Sequence, residues 1–251
     1  MTAILTRARH GLYLVPPYDS YLSKALIRMG EYAPEEFNTW RPYLPVEGVV
    51  VDAGANIGCH TLPFARAVGP HGVVIAIEPQ RMLRYMLDGT IALNGFRNIH
   101  TEGVALGKEP GTIKVPAIDY GAESNFGGLT LDGSHDDHPG EIVPRATLDA
   151  MFSGVDVDFL KLDIEGAELD ALLGAEELIA RCRPVLSVEA DREEQVPGLL
   201  DWLTAHDYRA WWHRPPLGPL WPGVISINLF AIPREDTELP DPVGYVEAVI
   251  E

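Results

Sequence analysis

Val49-Val50-Val51-Asp52-Ala53-Gly54-Ala55-Asn56-Ile57-Gly58 is the stretch on which the fold turns. Three consecutive valines with no charge among them read as a short strand buried on both faces. Gly54 and Gly58 lack side chains that would hold a ligand away from the backbone, and they allow the chain to reverse. From Gly58 to Val68 the apolar spacing becomes helical, and Gly69-Pro70 stops it. Strand, glycine loop and helix in that order open a nucleotide-binding unit.

Working outward, Gly72 to Ile77 repeats the buried-strand pattern, and a helical stretch from Arg81 to Leu93 ends at Asn94-Gly95. A third strand is expected over Ile99 to Ala105. The alternation then breaks into two Gly- and Pro-punctuated strands, Thr112 to Ile118 and Glu141 to Thr147, which read as an inserted hairpin. It resumes with a strand at Asp158 to Asp163, a helix at Ala167 to Leu178, a strand at Pro184 to Glu189 and a helix at Val196 to His206. Tyr208 to Trp212 and Val224 to Ile232 then form a terminal antiparallel unit. This order predicts an α/β fold with a mostly parallel, seven-stranded, Rossmann-like sheet covered by helices on both faces. Residues 1–45, with Pro16-Pro17 and a helix from Ser23 to Met29, are expected to form an N-terminal helical lid over a domain spanning 46–251.

With 251 residues, the chain is long enough for one continuous core. It carries 37 acidic and 19 basic residues, a formal charge of -18. Such a surface repels a polyphosphate backbone, so a nucleic-acid partner is not expected. No apolar run approaches the ~20 residues needed to span a bilayer, so no membrane partner is expected and a cytoplasmic location follows by default. Cys59 and Cys182 stand far apart, without the spacing of a zinc site or disulfide framework. Oligomeric state is not legible.

The identity of the ligand turns on charge. A dinucleotide loop places a glycine where this chain has Asn56, pressed against pyrophosphate at a helix N-terminus. Asp52 at the strand end would repel that pyrophosphate, whereas S-adenosylmethionine offers an ammonium and a sulfonium. Glu78, at the tip of the second strand, can accept hydrogen bonds from both ribose hydroxyls; nicotinamide enzymes use an acid there too. Val104 is expected to present apolar surface to the adenine. The expected cofactor contacts are thus Asp52, Gly54, Asn56, Gly58, Glu78, Val104 and Asp163, and the expected cofactor is S-adenosylmethionine. A nicotinamide-dependent oxidoreductase and a non-catalytic cofactor-binding protein of the same fold remain as alternatives.

The motif Asp52-Ala-Gly-Ala-Asn-Ile-Gly58, then Glu78-Pro79, then Leu160-Lys-Leu-Asp-Ile-Glu-Gly-Ala-Glu168 resembles the FkbM-type methyltransferases, a class I S-adenosylmethionine-dependent family. The resemblance runs from about Tyr32 to Ile232 and extends more loosely to Asn125-Phe-Gly-Gly128 and Asn228-Leu-Phe-Ala231. It implies the seven-stranded class I fold and O-methylation. The implied acceptor is a hydroxyl on a small molecule, sugar or glycan.

Methyl transfer from a sulfonium needs alignment of acceptor oxygen and methyl carbon, plus removal of a proton. Asp163 ends its strand beside the expected methyl position and Glu165 follows, so these are the expected catalytic residues, Asp163 first. The competing reading pairs them with Lys161 or places them at the following helix start. Glu189 and Asp191 end the neighbouring strand, which leaves a divalent cation open as an alternative; no metal is assigned from the sequence. Ser134-His-Asp-Asp-His138 is expected to be a solvated hairpin tip. Tyr32, Glu35 and Glu36 are candidates to close over the cofactor's amino-acid end. His60 either neighbours the cofactor or packs, and the tryptophans of Trp211-Trp212 and Trp221 either meet a ring-shaped acceptor or join the core.

Overall fold

A computed structural model describes residues 2–131, 137, 139–242 and 246–248. The chain opens with a hairpin of β1 (Ile4–Ala8) and β2 (Gly11–Val15), followed by α1 (Leu22–Arg28) and α2 (Pro34–Trp40). Then β3 (Val49–Ala53), α3 (Thr61–Val68), β4 (Val73–Ile77), α4 (Arg81–Asn94) and β5 (Ile99–Glu102) alternate as expected. Next come β6 (Ala105–Leu106), β7 (Gly111–Pro116), β8 (Gly140–Ala146) and α5 (Leu148–Met151). The second half contains β9 (Phe159–Leu162), α6 (Glu168–Leu173), α7 (Glu176–Cys182), β10 (Val185–Glu189), α8 (Val196–Ala205), β11 (Tyr208–His213), β12 (Asn228–Pro233) and β13 (Val246–Glu247).

The main sheet has eight strands in the order β13-β11-β12-β10-β9-β3-β4-β5. From β10 through β9, β3 and β4 to β5 every pairing is parallel. β12 lies antiparallel to both β10 and β11, and β13 pairs antiparallel with β11. The sheet is therefore mixed and one strand wider than the seven expected. Successive residues of each central strand serve opposite faces: Val50 and Phe159 join one apolar cluster with Phe64, Leu83 and Leu87, while Val51 and Leu160 join another with Leu172, Leu186 and Leu203. That alternation explains the uninterrupted apolar runs.

Four expectations are corrected by longer-range packing. The N-terminal segment begins with a hairpin, not only a helix. Its strand β2 docks on α4, Leu12 and Leu14 donating their N–H groups to Asn94 Oδ1 at 2.9 Å and Thr90 Oγ1 at 3.0 Å. The strand expected over Ile99 to Ala105 divides between two sheets, β5 in the main one and β6 in a small one. In that small sheet β6 pairs parallel with β8 and β7 pairs antiparallel with β8, so three strands stand where two were expected. The helix expected over Ala167 to Leu178 breaks into α6 and α7 at Gly174, where a Cβ would lie 2.4 Å from the Gly107 carbonyl oxygen. Apart from Asp137, the Ser134 to His138 stretch lies outside the described residues. No described helix is long and apolar enough to cross a membrane.

Candidate active site

The carboxyl ends of β3, β4, β9 and β10 open into a cavity of about 460 Å³, the scale of a small-molecule site. Asp52, Gly54, Asn56, Glu78, Val104, Asp163 and Glu165 all line it. Gly58 does not. Its φ of +93° turns the chain, and a Cβ there would come 2.8 Å from Leu87 Cδ1 of α4, so Gly58 shapes the loop from behind. Gly54 is required by a closer approach: with φ +79°, its Cβ would lie 1.7 Å from the Asp163 carbonyl oxygen. The loop is thus laid directly against the tip of β9.

Asp52 is sealed from solvent. Its Oδ2 accepts a 2.6 Å hydrogen bond from the Thr61 hydroxyl, and its Oδ1 is 3.2 Å from Lys161 Nζ. The same ammonium stands 3.2 Å from Asp163 Oδ2. Burial would lower the Lys161 pKa, but the Asp163 and Asp52 carboxylates outweigh it and hold the pKa raised, so the ammonium is charged. Lys161 therefore ties the β3 tip to the β9 tip from beneath the cavity.

Glu78 is 4% exposed, and its two oxygens accept backbone N–H groups from Asn56 at 2.9 Å and Gln80 at 2.8 Å. This anchors the glycine loop, where Asn56 sits at φ +51°, to the β4 tip. Burial raises the Glu78 pKa to about 7 against the pull of those two bonds. The Gln80 side chain reaches on, donating from Nε2 to the Phe126 carbonyl at 2.8 Å and accepting from the Tyr120 hydroxyl at 3.2 Å.

The N-terminal segment closes one wall. Asp19 accepts N–H groups from Tyr21, Ser23 and Phe126, and Ser20 donates to the Ser124 carbonyl at 2.9 Å. Glu36, from α2, is buried in the cavity wall 3.5 Å from His60 Nε2 and 3.3 Å from Asn228 Nδ2. Burial pushes Glu36 up to about 7 and His60 down to about 3, so the imidazole is neutral. His60 and Tyr32 both line the cavity. The role of Asp19 and Gln80 in joining these walls is absent from the sequence reading, and no local signal marks it: their partners at Phe126 lie 107 and 46 residues away.

Asp163 stands 3.2 Å from Lys161, the partner that the competing reading named, whereas Glu165 pairs with Arg192 at 2.9 Å, which that reading did not foresee. The helix start belongs instead to Glu168, which accepts N–H groups from Ile164 and Gly166. Burial, with Asp163 nearby, raises Glu165 to about 8, and the same two causes push Glu189 well above the ordinary carboxylate range. Trp211 packs in the core and Trp212 under Arg214. Trp221 stacks on Tyr21 with ring centroids 5.3 Å apart, and Leu217 and residues 224–227 supply that side of the cavity.

Residues 52–210, well over half of the chain, match the methyltransferase FkbM domain. The sequence matches no curated protein. Among solved structures it is similar to methyltransferase FkbM from Methylobacillus flagellatus KT, at 24% identity and a TM-score of 0.50 over 72% of this chain. That overlap spans 42% of the Methylobacillus chain, less than half its length. It is also similar to TYW2 from M. jannaschii in complex with AdoMet, at 15% identity and a TM-score of 0.52, covering 92% of this chain and 85% of that one. At these identities the two likenesses establish the fold.

Proposed function

Because the chain belongs to the FkbM-domain methyltransferase family, we propose that it moves the methyl group of S-adenosylmethionine to a hydroxyl oxygen of a small molecule, sugar or glycan. The observation that carries this reading is the acidity of the cavity: seven carboxyl groups line it against two fixed cations, Lys161 and Arg192, and a cationic ligand would draw those with raised pKa values into the ionised form. A cofactor bearing sulfonium and ammonium is attracted there, whereas the pyrophosphate of a nicotinamide dinucleotide is repelled.

In this reading the glycine loop at Gly54 to Asn56 meets the amino-acid end of the cofactor, with Asp52 and Lys161 fixing the loop beneath it. Glu78 turns its remaining lone pairs to the ribose hydroxyls, and Val104 faces the adenine. Gly58 supports the loop without touching the ligand. Residues 1–45 act as a cover, placing Tyr21, Tyr32 and Glu36 over a catalytic domain of 46–251. Asp163 takes the acceptor's proton, with Glu165 next to it to orient the acceptor. The acceptor oxygen attacks the methyl carbon, the carbon–sulfur bond breaks with its electron pair left on a neutral thioether, and the hydroxyl proton passes to the carboxylate.

Calorimetry with S-adenosylmethionine and S-adenosylhomocysteine is the test. Failure of the folded protein to bind either ligand removes the proposal, and a fluorescence titration with NADH that saturates replaces it with the oxidoreductase. Labelled methyl traced from the cofactor into cell extract is expected in a methyl ether. Binding without transfer leaves a non-catalytic cofactor-binding protein.

A further inference from the structure

At the ends of β9 and β10, Asp163, Glu165 and Glu189 each bring one carboxylate oxygen within 4.8 Å of the others. The fixed cations here are already shared. Lys161 answers both Asp52 and Asp163, and Arg192 answers both Glu165 and Asp191. Glu189 makes no ion pair among the described residues, although Arg192, already paired with Glu165 and Asp191, is near enough to feel its charge. Its Oε2 is shut off from solvent and accepts no hydrogen bond among the described residues. Unpaired, that oxygen is held by a raised pKa in the neutral acid; a cation reaching it through the cavity that all three side chains line would instead hold it ionised.

We propose that Asp163, Glu165 and Glu189 hold a hard divalent cation, of the class of Mg2+, Mn2+ or Ca2+, at the acceptor end of the cavity. The ligand set is all oxygen and anionic, which favours these ions over the softer transition metals. Metal–oxygen distances of about 2.1 Å for Mg2+ put opposite ligands about 4.2 Å apart, and about 2.4 Å for Ca2+ puts them about 4.8 Å apart. The three oxygens, all within 4.8 Å of one another, are therefore close enough to converge on one such cation with small side-chain rotations.

Three protein ligands leave coordination positions facing the cavity. An acceptor whose hydroxyl neighbours a second oxygen, such as a vicinal diol or a hydroxy acid, fills two adjacent positions and is thereby oriented. The cation holds the acceptor oxygen and stabilises its deprotonated form, the proton leaving to water. With the ion bound, Asp163 and Glu165 act on the acceptor through it, and this replaces the direct proton transfer to Asp163 described for the metal-free site. This use of the site rests on the methyl-transfer reading, but the site itself does not.

The experiment is titration of the full chain with Mn2+, read by calorimetry and by loss of the free-ion electron paramagnetic resonance signal, alongside a separate titration with S-adenosylhomocysteine. One saturable Mn2+ per chain is expected, displaced by excess Mg2+ or Ca2+. Glu189→Gln is expected to weaken Mn2+ at least tenfold while S-adenosylhomocysteine affinity stays within twofold. Absence of saturable Mn2+ binding overturns the site, as does equal affinity in parent and variant. Should Glu189→Gln fail to fold, Glu165→Gln carries the same comparison. Mn2+ binding without S-adenosylhomocysteine binding would remove the cofactor reading and leave the cation site standing.

Discussion

Replacing Glu78 with Gln tests the cofactor reading at its most exposed point, because the structure specifies how the effect must vary with pH. Burial raises this carboxyl from 4.5 to about 7. A carboxyl whose folded pKa lies above its unfolded one stabilises the fold most below the unfolded value, and loses that contribution as pH rises through the folded value. Ionising Glu78 without ligand therefore costs about 3 kcal/mol, from the 2.5-unit difference at about 1.4 kcal/mol per unit. Ribose hydroxyls donate to the ionised form, so below about pH 7 binding must release a proton. Between pH 8 and pH 6 the parent's affinity for S-adenosylhomocysteine is expected to fall about tenfold. Gln at position 78 keeps one acceptor oxygen and no charge. At pH 8 it is expected to lose about 2–4 kcal/mol of binding, roughly 30- to 1,000-fold in Kd. At pH 6 that ratio should shrink about tenfold. Calorimetry on both proteins at both pH values gives the four numbers, and the ligand's own titrations cancel in the ratio. A ratio that does not change with pH would refute the reasoning, and pH dependence surviving intact in the variant would move the titrating group to Glu36.

Lys161→Met leaves the sealed Asp52 carboxylate without its cation, and urea denaturation is expected to show a loss of about 3–5 kcal/mol. Gly54→Ala drives a Cβ into the Asp163 carbonyl and places Ala at a φ of +79°, so cofactor binding should vanish in calorimetry even where circular dichroism shows a folded chain. Asp19→Ala removes the acceptor for three backbone N–H groups that join the N-terminal segment to Phe126. Hydrogen exchange at residues 20–23 and 126 should rise by an order of magnitude or more, for a loss of about 2–3 kcal/mol.

The alternation from β3 to α4 and from β9 to α8 was legible because local spacing alone determines it: buried strands read as apolar runs, and Gly69 and Gly95 stop their helices at φ +78° and +70°. What sequence spacing could not show is decided by contacts made across the chain. Leu12 and Leu14 become part of a hairpin because Asn94 and Thr90, 82 and 76 residues on, take their N–H groups. The break at Gly174 belongs to the Gly107 carbonyl. At the site, the strand tips brought the expected acids to one cavity, since parallel strands deliver their ends to the same edge. Gly58 does not line the cavity, and a glycine required for packing against Leu87 looks, in sequence, the same as one required for a ligand.

The electrostatic reasoning about Asp52 also changes. Read from the sequence, its carboxylate repels pyrophosphate and draws the sulfonium. In the structure that charge is sealed from solvent and answered by Lys161 at 3.2 Å and by the Thr61 hydroxyl, so it projects little field into the cavity. Lys161 is shared with Asp163, which leaves the negative potential to the acids at the far tips: Glu165 and Asp191 divide Arg192 between them, and Glu189 makes no ion pair among the described residues. On the proposed reading, the attraction for a cationic ligand is therefore exerted from the ends of β9 and β10, not from the end of β3. Asp52→Asn should accordingly cost fold stability more than it costs cofactor affinity. Neutralising Glu189 should act through the cation and the acceptor. If Asp52→Asn instead abolished cofactor binding in a protein of unchanged stability, the charge at β3 would regain the role that the sequence assigned to it.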